Sequence, residues 1–439
     1  MKTTKLISLF LALIMALSIF VSCGEKQTEE SSAIPETEEA PKETKKSVVE
    51  TIKTPDTSAE TADPNAFVEP TVDLSKFYSY KVFDLPEDFR QAAVDYMRYQ
   101  AGIVWTPGQD IKTSEKFEHE NWGIDLTYKA GVEYQGLPYA NTYVTVDEFE
   151  QFYLDADRKL VCDSQSWQKL PGLECGSSIV MALQQFSYVY GYTDAFNPGT
   201  KDKFRAIKVG DYTAEPGQSS AEICKANKAK GMFEAYSHLD KGDVLFHGGA
   251  SGSGNHVRMI SENHVERKSD GSIDSRKSYV LCLEQTNAFD KDRKGVNSTW
   301  RVDKKYGYED LFTQSYVPVT LREYNEGRKE KIYLGLSSEI LAEDLAQKAV
   351  VGQVETNSVL RYVYLDILTR DGRLVSRKVA HGVKDYSDSA IGVSTGKIDL
   401  RKYGFNLFDG VAAGDYTFVL SAGIAAGSAE LARVDFTLQ

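Results

Sequence analysis

Three residues of this chain have the types that nucleophilic catalysis by a thiolate would use, a sulfur, a ring base and a group to orient it: Cys175, His256 and Glu284. Cys175 stands in the run "LPGLECGSSIVMALQQF", residues 170–186, where Pro171, Gly172 and Glu174 punctuate a loop and Ile179, Leu183 and Phe186 recur at helical spacing. That pattern puts the cysteine where a loop becomes a helix. A thiol attacks as its thiolate, and a helix start or a neighbouring imidazolium lowers the ordinary thiol pKa of about 8.5. The backbone N–H groups of the first turn carry the positive end of the helix dipole, and the same groups can hold an oxyanion. By itself, a cysteine near a helix start is more often structural, so the reading needs a base and a group to orient it.

The base is sought among six histidines: His119, His238, His247, His256, His264 and His381. His256 follows the glycine-rich run "GGASGSGN" and opens the strand pattern "NHVRMISE", in which Val257, Met259 and Ser261 face one way and His256, Arg258 and Ile260 the other. The next strand, "SYVLCLEQTN", ends in Glu284, Gln285 and Asn287. Neighbouring strands joined by a turn bring Glu284 within reach of His256. Glu284, or Asn287 as the weaker candidate, would hold the imidazole in one tautomer and orientation.

The surrounding elements predict an α+β fold. "DLPEDFRQAAVDYMRYQAGIVW" reads as a helix capped by Asp84 with Glu87 three residues on, and its stripe is Phe89, Ala93, Met97 and Val104. A loop-rich stretch follows over 106–145, then a short helix "TVDEFEQFYLD" capped by Thr145. The Cys175 helix is expected to run to about Tyr190, where Gly191 stops it. Residues 192–238 read as a polar, irregular insertion. "KGDVLFHGG", "NHVRMISE", "SYVLCLEQTN" and "SYVPVTLRE" then read as strands of an antiparallel sheet. From residue 327 onward, "SVLRYVYLDILTRDGRLVSRKV" is a hairpin turning at Asp371-Gly372, and "AGDYTFVLSAG" and "AELARVDFTLQ" add two more strands.

The order of a helix-borne cysteine, "GDVLF", "NHVRMI" and "LEQTN" resembles that of papain-like bacterial cell-wall hydrolases of the CHAP and NlpC types. "GLPY", ending at Tyr139, is similar to the "P-Y" that precedes the nucleophile in NlpC-type peptidases. The resemblance covers residues 85–323 in pieces. It implies a papain-like catalytic domain, a helix bearing the cysteine packed on an antiparallel sheet. It also implies that Cys175 is the nucleophile, His256 the general base, Glu284 its orienting group, and Tyr139 a hydrogen-bonding group near the oxyanion. The implied reaction is hydrolysis of a peptidoglycan amide through a thioester, by a stem-peptide endopeptidase or an N-acetylmuramoyl-L-alanine amidase. "ECGSS" stands where NlpC-type enzymes have "DCSG", and the separation of Tyr139 from Cys175 is longer than usual.

The remaining sequence speaks to location. "MKTTK" followed by "LISLFLALIMALSIFV" has the order of a secretory signal, and "FVSC" resembles a lipobox ending at Cys23, the expected lipidation site. Residues 1–22 are then a cleaved signal peptide. Residues 23–70 are an acidic linker, with twelve acidic against five basic residues, that cannot bury enough apolar surface to order itself. Residues 71–326 form the hydrolase-like domain and 327–439 an Ig-like β-sandwich, for which wall or partner binding is expected because no catalytic cluster falls in it. The expected protein is a monomeric, extracytoplasmic membrane lipoprotein acting on peptidoglycan or another peptide. A net charge of −13 argues against nucleic acid as a partner. Four cysteines remain in the exported body, and a Cys162–Cys224 bridge is open to such a chain.

Rival readings of the same residues are narrower. His264 comes late in its strand beside a polar turn, and His247 lies before the glycine run and can line the cleft. His247, His256 and His264 are not at one-face metal spacing, "DKDRKG" puts Lys294 and Arg301 where calcium needs oxygen, and no serine elbow is present, so neither metal nor cofactor is expected. Trp105 and Tyr134 are candidates to stack on sugar rings, against apolar packing as the plainer role. The competing function is a catalytically silent surface lipoprotein that binds wall or another ligand with the same fold.

Overall fold

The computed structural model describes residues 73–117, 122–162, 166–187, 196–198, 206–249, 255–328, 330–381 and 396–439. The expected leader, the expected lipidation site Cys23, the expected acidic linker, His119 and the expected stop at Gly191 lie outside them. Among the described residues the protein mixes α and β, has more strand than helix, and pairs its strands almost entirely antiparallel. No described helix is long and apolar enough to cross a membrane.

In chain order the first elements are β1 (Ser79–Phe83), α1 (Phe89–Gly102), β2 (Val104–Pro107), the hairpin β3 (Ile111–Phe117) and β4 (Trp122–Tyr128), β5 (Tyr134–Gln135) and β6 (Lys159–Leu160). α1 starts four residues later than the cap expected at Asp84. Asp88 is the N-cap and accepts from the Gln91 N–H at 2.9 Å. Pro86 disfavours helical backbone at Leu85, so the helix cannot begin before it; Asp84 instead meets Lys331 at 2.6 Å. Val104, counted on the helical stripe, belongs to β2. Thr145 caps its short helix as expected, accepting from Glu148 N–H at 3.1 Å.

Next come α2 (Cys175–Leu183), β7 (Ala206–Lys208), α3 (Ser220–Tyr236), β8 (Val244–His247), β9 (His256–His264), β10 (Tyr279–Gln285), β11 (Trp300–Gly307) and β12 (Val317–Leu321). α2 ends at Leu183 rather than near Tyr190, and the chain turns there so that Phe186 stacks on Phe89 of α1, 4.6 Å between ring centres. The supposedly irregular insertion carries α3, opened by a reciprocal capping box between Ser219 and Glu222. β7 to β12 build one six-stranded sheet in the order β11-β10-β9-β8-β12-β7. α2 packs on β9 and β10 with α1 against it, and Gln100 of α1 donates to the Ser178 carbonyl at 3.1 Å. Every residue of α2 is buried, which places the start of this helix against the core rather than at an open surface.

The last strands are β13 (Ile332–Leu336), β14 (Gln353–Thr356), β15 (Leu360–Thr369), β16 (Leu374–His381), β17 (Lys397–Asp399), β18 (Gly414–Ile424) and β19 (Gly427–Leu438). They form two four-stranded sheets, β1-β13-β14-β17 and β16-β15-β18-β19, and the hairpin turn falls at Asp371-Gly372 as expected. Ile332, Leu334 and Val354 of one sheet share a hydrophobic cluster with Val363, Leu365, Phe418 and Leu420 of the other. β1 comes from residues assigned by sequence to the first domain, yet it pairs along its length with β13, Ser79 opposite Leu336 and Phe83 opposite Ile332.

Among the described residues Cys162, Cys175, Cys224 and Cys282 are not joined in disulfides, so the Cys162–Cys224 bridge is not formed. Cys224 lies buried on α3 and donates to the Tyr316 carbonyl at 3.6 Å, and burial pushes its thiol up to about 12. Cys282 is buried in β10 and burial pushes its thiol up as well. Gly136 shows how tightly the first core is packed. Its φ of +86° suits glycine, and a Cβ there would stand 2.2 Å from Trp300 Cδ1. Gly136→Ala is expected to cost about 2–4 kcal/mol in urea unfolding, from strain and overpacking together.

Candidate active site

The loop before α2 is shaped by Gly172. A Cβ at this position would lie 2.2 Å from the Pro138 carbonyl oxygen, so only glycine lets residues 138–140 lie against 172–173. The two segments pair there, Leu173 N–H to Pro138 O at 3.0 Å and Ala140 N–H to Leu173 O at 2.8 Å. This brings Tyr139 beside the cysteine. Burial first, then the charges that Cys175 and Glu174 can carry, push its phenol well above the ordinary value. Its ring stacks on Trp167, 6.4 Å between centres.

Glu174 is the N-cap of α2 and Cys175 its first residue. The Glu174 carboxylate accepts from the N–H groups of Gly176 at 2.9 Å and Ser177 at 2.7 Å, and from the Cys175 thiol at 3.1 Å. The Ser177 hydroxyl accepts in turn from the Glu174 N–H at 2.8 Å. The sequence led us to expect open amides at this helix start. Those of Gly176 and Ser177 are taken by the cap, which offsets part of the dipole's attraction for a thiolate. Removing that negative charge has a readable consequence. Trace iodoacetamide near neutral pH, used on a Cys162→Ser background, should label Cys175 several-fold faster in Glu174→Gln than with Glu174 present. An unchanged or lower rate would mean the carboxylate does not restrain the sulfur.

On the sheet against which α2 packs, His256 is the first residue of β9 and stands opposite His247 of β8. Asn255 leads into the strand, and its carbonyl oxygen lies 3.9 Å from Cys175 Sγ. Gly248 makes room for the Asn255 amide: a Cβ there would fall 1.9 Å from Asn255 Oδ1. His256 Nε2 meets Glu284 Oε2 at 2.5 Å. Glu284 is 2 % exposed near the end of β10, where the pairing with β11 bulges between Cys282 and Glu284. The same Oε2 accepts from Arg258 Nε at 2.9 Å, and Oε1 accepts from the Tyr306 hydroxyl. Burial works to protonate Glu284; Arg258, then His256 and Tyr306, more than reverse it and hold the carboxyl well below its usual range. With Nε2 committed to the carboxylate, Nδ1 is the ring nitrogen left for proton transfer.

The structure thus draws together His256 and Glu284, and places Cys175, Tyr139 and Glu174 on the facing segments. His247 lines the same region. Burial, then His256 and Arg258, pull its imidazole below the ordinary value, and its ring lies 5.3 Å from that of Tyr316. Asn287 is not with them: it is exposed beyond the end of β10, its amide 3.5 Å from the Gly123 carbonyl, because β10 stops at Gln285. Trp105 and Tyr134 are core residues, 1 % and 5 % exposed. Their rings stack at 5.3 Å and Trp105 also meets Tyr128, which leaves no open face for a sugar. His264 stacks on Tyr279 at 4.8 Å, at the far end of β9 from His256. Among the described residues no three His, Cys, Asp or Glu side chains converge to hold a metal ion. Sequence reasoning missed Glu174, Arg258, Tyr306 and Tyr316. Arg258 was legible, since it shares the His256 face of an alternating strand.

Comparisons with protein-family models, with curated proteins and with solved structures found no match to this chain.

Proposed function

We propose that this protein is an extracytoplasmic, membrane-anchored cysteine hydrolase that cleaves an amide bond of peptidoglycan, with Cys175, His256 and Glu284 as its working residues. The observation that carries the reading is the buried Glu284 carboxylate 2.5 Å from His256 Nε2, on a strand whose preceding carbonyl lies 3.9 Å from Cys175 Sγ. A cysteine starting a helix packed on an antiparallel sheet supports a papain-like catalytic half, and the two packed four-stranded sheets support an Ig-like sandwich beside it. In this mechanism the Cys175 sulfur adds to the amide carbonyl carbon while His256 holds the thiol proton at Nδ1. The C–N bond then breaks as that proton passes to the leaving amine, giving a thioester. Water, activated by the same nitrogen, hydrolyses the thioester and returns the thiol. Tyr139 is suited to donate to the carbonyl oxygen, because its raised phenol stays protonated.

The class of bond is read by mass analysis of purified peptidoglycan digested with the protein. An amidase leaves free lactyl ends and intact stem peptides; an endopeptidase leaves shortened peptides on the sugar. Undigested material from a folded, reduced protein would refute the reading. The second reading, a binding lipoprotein without turnover, is favoured by one observation: Glu174 holds the thiol hydrogen bond and two first-turn amides. Its mark would be binding of wall fragments with no product, in Glu174→Gln as in the unaltered chain.

A further inference from the structure

Glu284 is buried, and a carboxyl in such a place takes up a proton unless a cation sits against it. A protonated Glu284 would lose its charge-assisted bond to His256, and the ring would lose the partner that fixes its tautomer. The required cation is Arg258, two residues beyond His256 on the same face of β9, with Nε 2.9 Å from Glu284 Oε2. Its guanidinium carbon lies 3.7 Å from the centre of the Tyr306 ring and 4.2 Å from that of Tyr316, so the group is clamped between two aromatic rings. Tyr306 closes the arrangement by donating to the second oxygen of the same carboxylate.

We infer that Arg258 is a positioning residue of this site: clamped between Tyr306 and Tyr316, it keeps Glu284 ionised and aimed at His256 Nε2, so that Nδ1 stays turned to the reacting groups. The inference rests on the hydrolase reading only for what the histidine then does. The other titratable groups around the pair are His247 on β8, Cys282 on β10, Cys175 and Glu174 at the start of α2, and Asp303 on β11. Asp303 is engaged by Arg98 and Ser261. Among the described residues of this cluster, Arg258 is the one whose positive charge does not depend on pH near neutrality.

The test needs no turnover. In the Cys162→Ser chain the rate of Cys175 alkylation by trace iodoacetamide is followed against pH, together with the carboxyl carbon-13 shift of Glu284. With Arg258 in place, Glu284 should stay ionised through the acid range in which the chain is folded. Arg258→Met should raise the acid limb of the alkylation profile, and the titration of Glu284, by about one pH unit or more, a tenfold change in proton affinity. Arg258→Lys keeps the charge and should recover at least half of that shift. An unmoved Arg258→Met profile overturns the inference, as does an equal shift in the methionine and lysine variants, which would trace the effect to packing. If Arg258→Met does not fold, Arg258→Lys decides: a limb within about half a unit of the unaltered chain supports the charge role, and any larger shift overturns it. A protein that digests no peptidoglycan yet shows these shifts would lose the hydrolase reading and keep this one.

Discussion

Cys175→Ala should remove essentially all release of soluble products from purified peptidoglycan, a loss of roughly three orders of magnitude or more, and His256→Ala should come close to it. The two effects should not add. A nucleophile and its base act as one unit, so the double variant should be no slower than Cys175→Ala alone. Stability separates this from unfolding. Cys175 is small and buried at the first turn of α2, and its truncation to alanine removes one sulfur atom, so urea unfolding should move by only about 1 kcal/mol. Activity retained in Cys175→Ala at even a tenth of the original rate would sink the thioester mechanism.

Glu284→Gln should give the largest loss of stability at this site. The substitution keeps shape and volume but leaves the Arg258 guanidinium buried without its counter-charge, and breaking one side of a buried pair costs about 3–5 kcal/mol. The sign of its pH dependence follows from the direction of the shift. Glu284 is held below its ordinary range in the folded chain, so its contribution is complete above the unfolded carboxyl value of about 4.3 and is lost as pH falls toward the folded one. The gap in unfolding free energy between the unaltered chain and Glu284→Gln should therefore be widest near neutral pH and narrow below about pH 4. A constant gap across that range would mean the carboxylate's charge is not what the variant removes. Activity should fall as well, since an amide holds the His256 ring without stabilising its positive form.

How much could be read in advance depends on whether the signal is local. The strands "NHVRMISE" and "SYVLCLEQTN" alternate cleanly, and β9 and β10 follow with His256 and Glu284 where the alternation puts them. The hairpin at Asp371-Gly372 was legible for the same reason: the turn residues name themselves. α3 was missed although Ser219 and Glu222 spell a capping box, because the helix body carries lysines and a glycine that weaken its stripe. Inside it, Lys228 has a φ of +60°, a break that no helical periodicity survives. β3 and β4 were folded into a loop although Ile124, Leu126 and Tyr128 alternate. Glu174 was read as loop punctuation, since its thiol contact depends on how the loop closes over Gly172. The Tyr306–Arg258–Tyr316 clamp joins three separate stretches of chain, and no single window of sequence contains it.

The pairing of β1 with β13 has a consequence for how the chain comes apart and how it assembles. Residues 79–83 reach the ribosome exit long before their partners at 332–336, so this edge stays unzipped through most of synthesis. Lys81 also reaches the Ser428 carbonyl at 2.8 Å, tying the same early segment to the last hairpin. Scission at residue 327, where the sequence invites it, would thus leave one fragment with an unmatched ribbon and the other with a bare strand edge, each a template for sticking to a neighbour. A thread spun early is sewn into the strands that are made last.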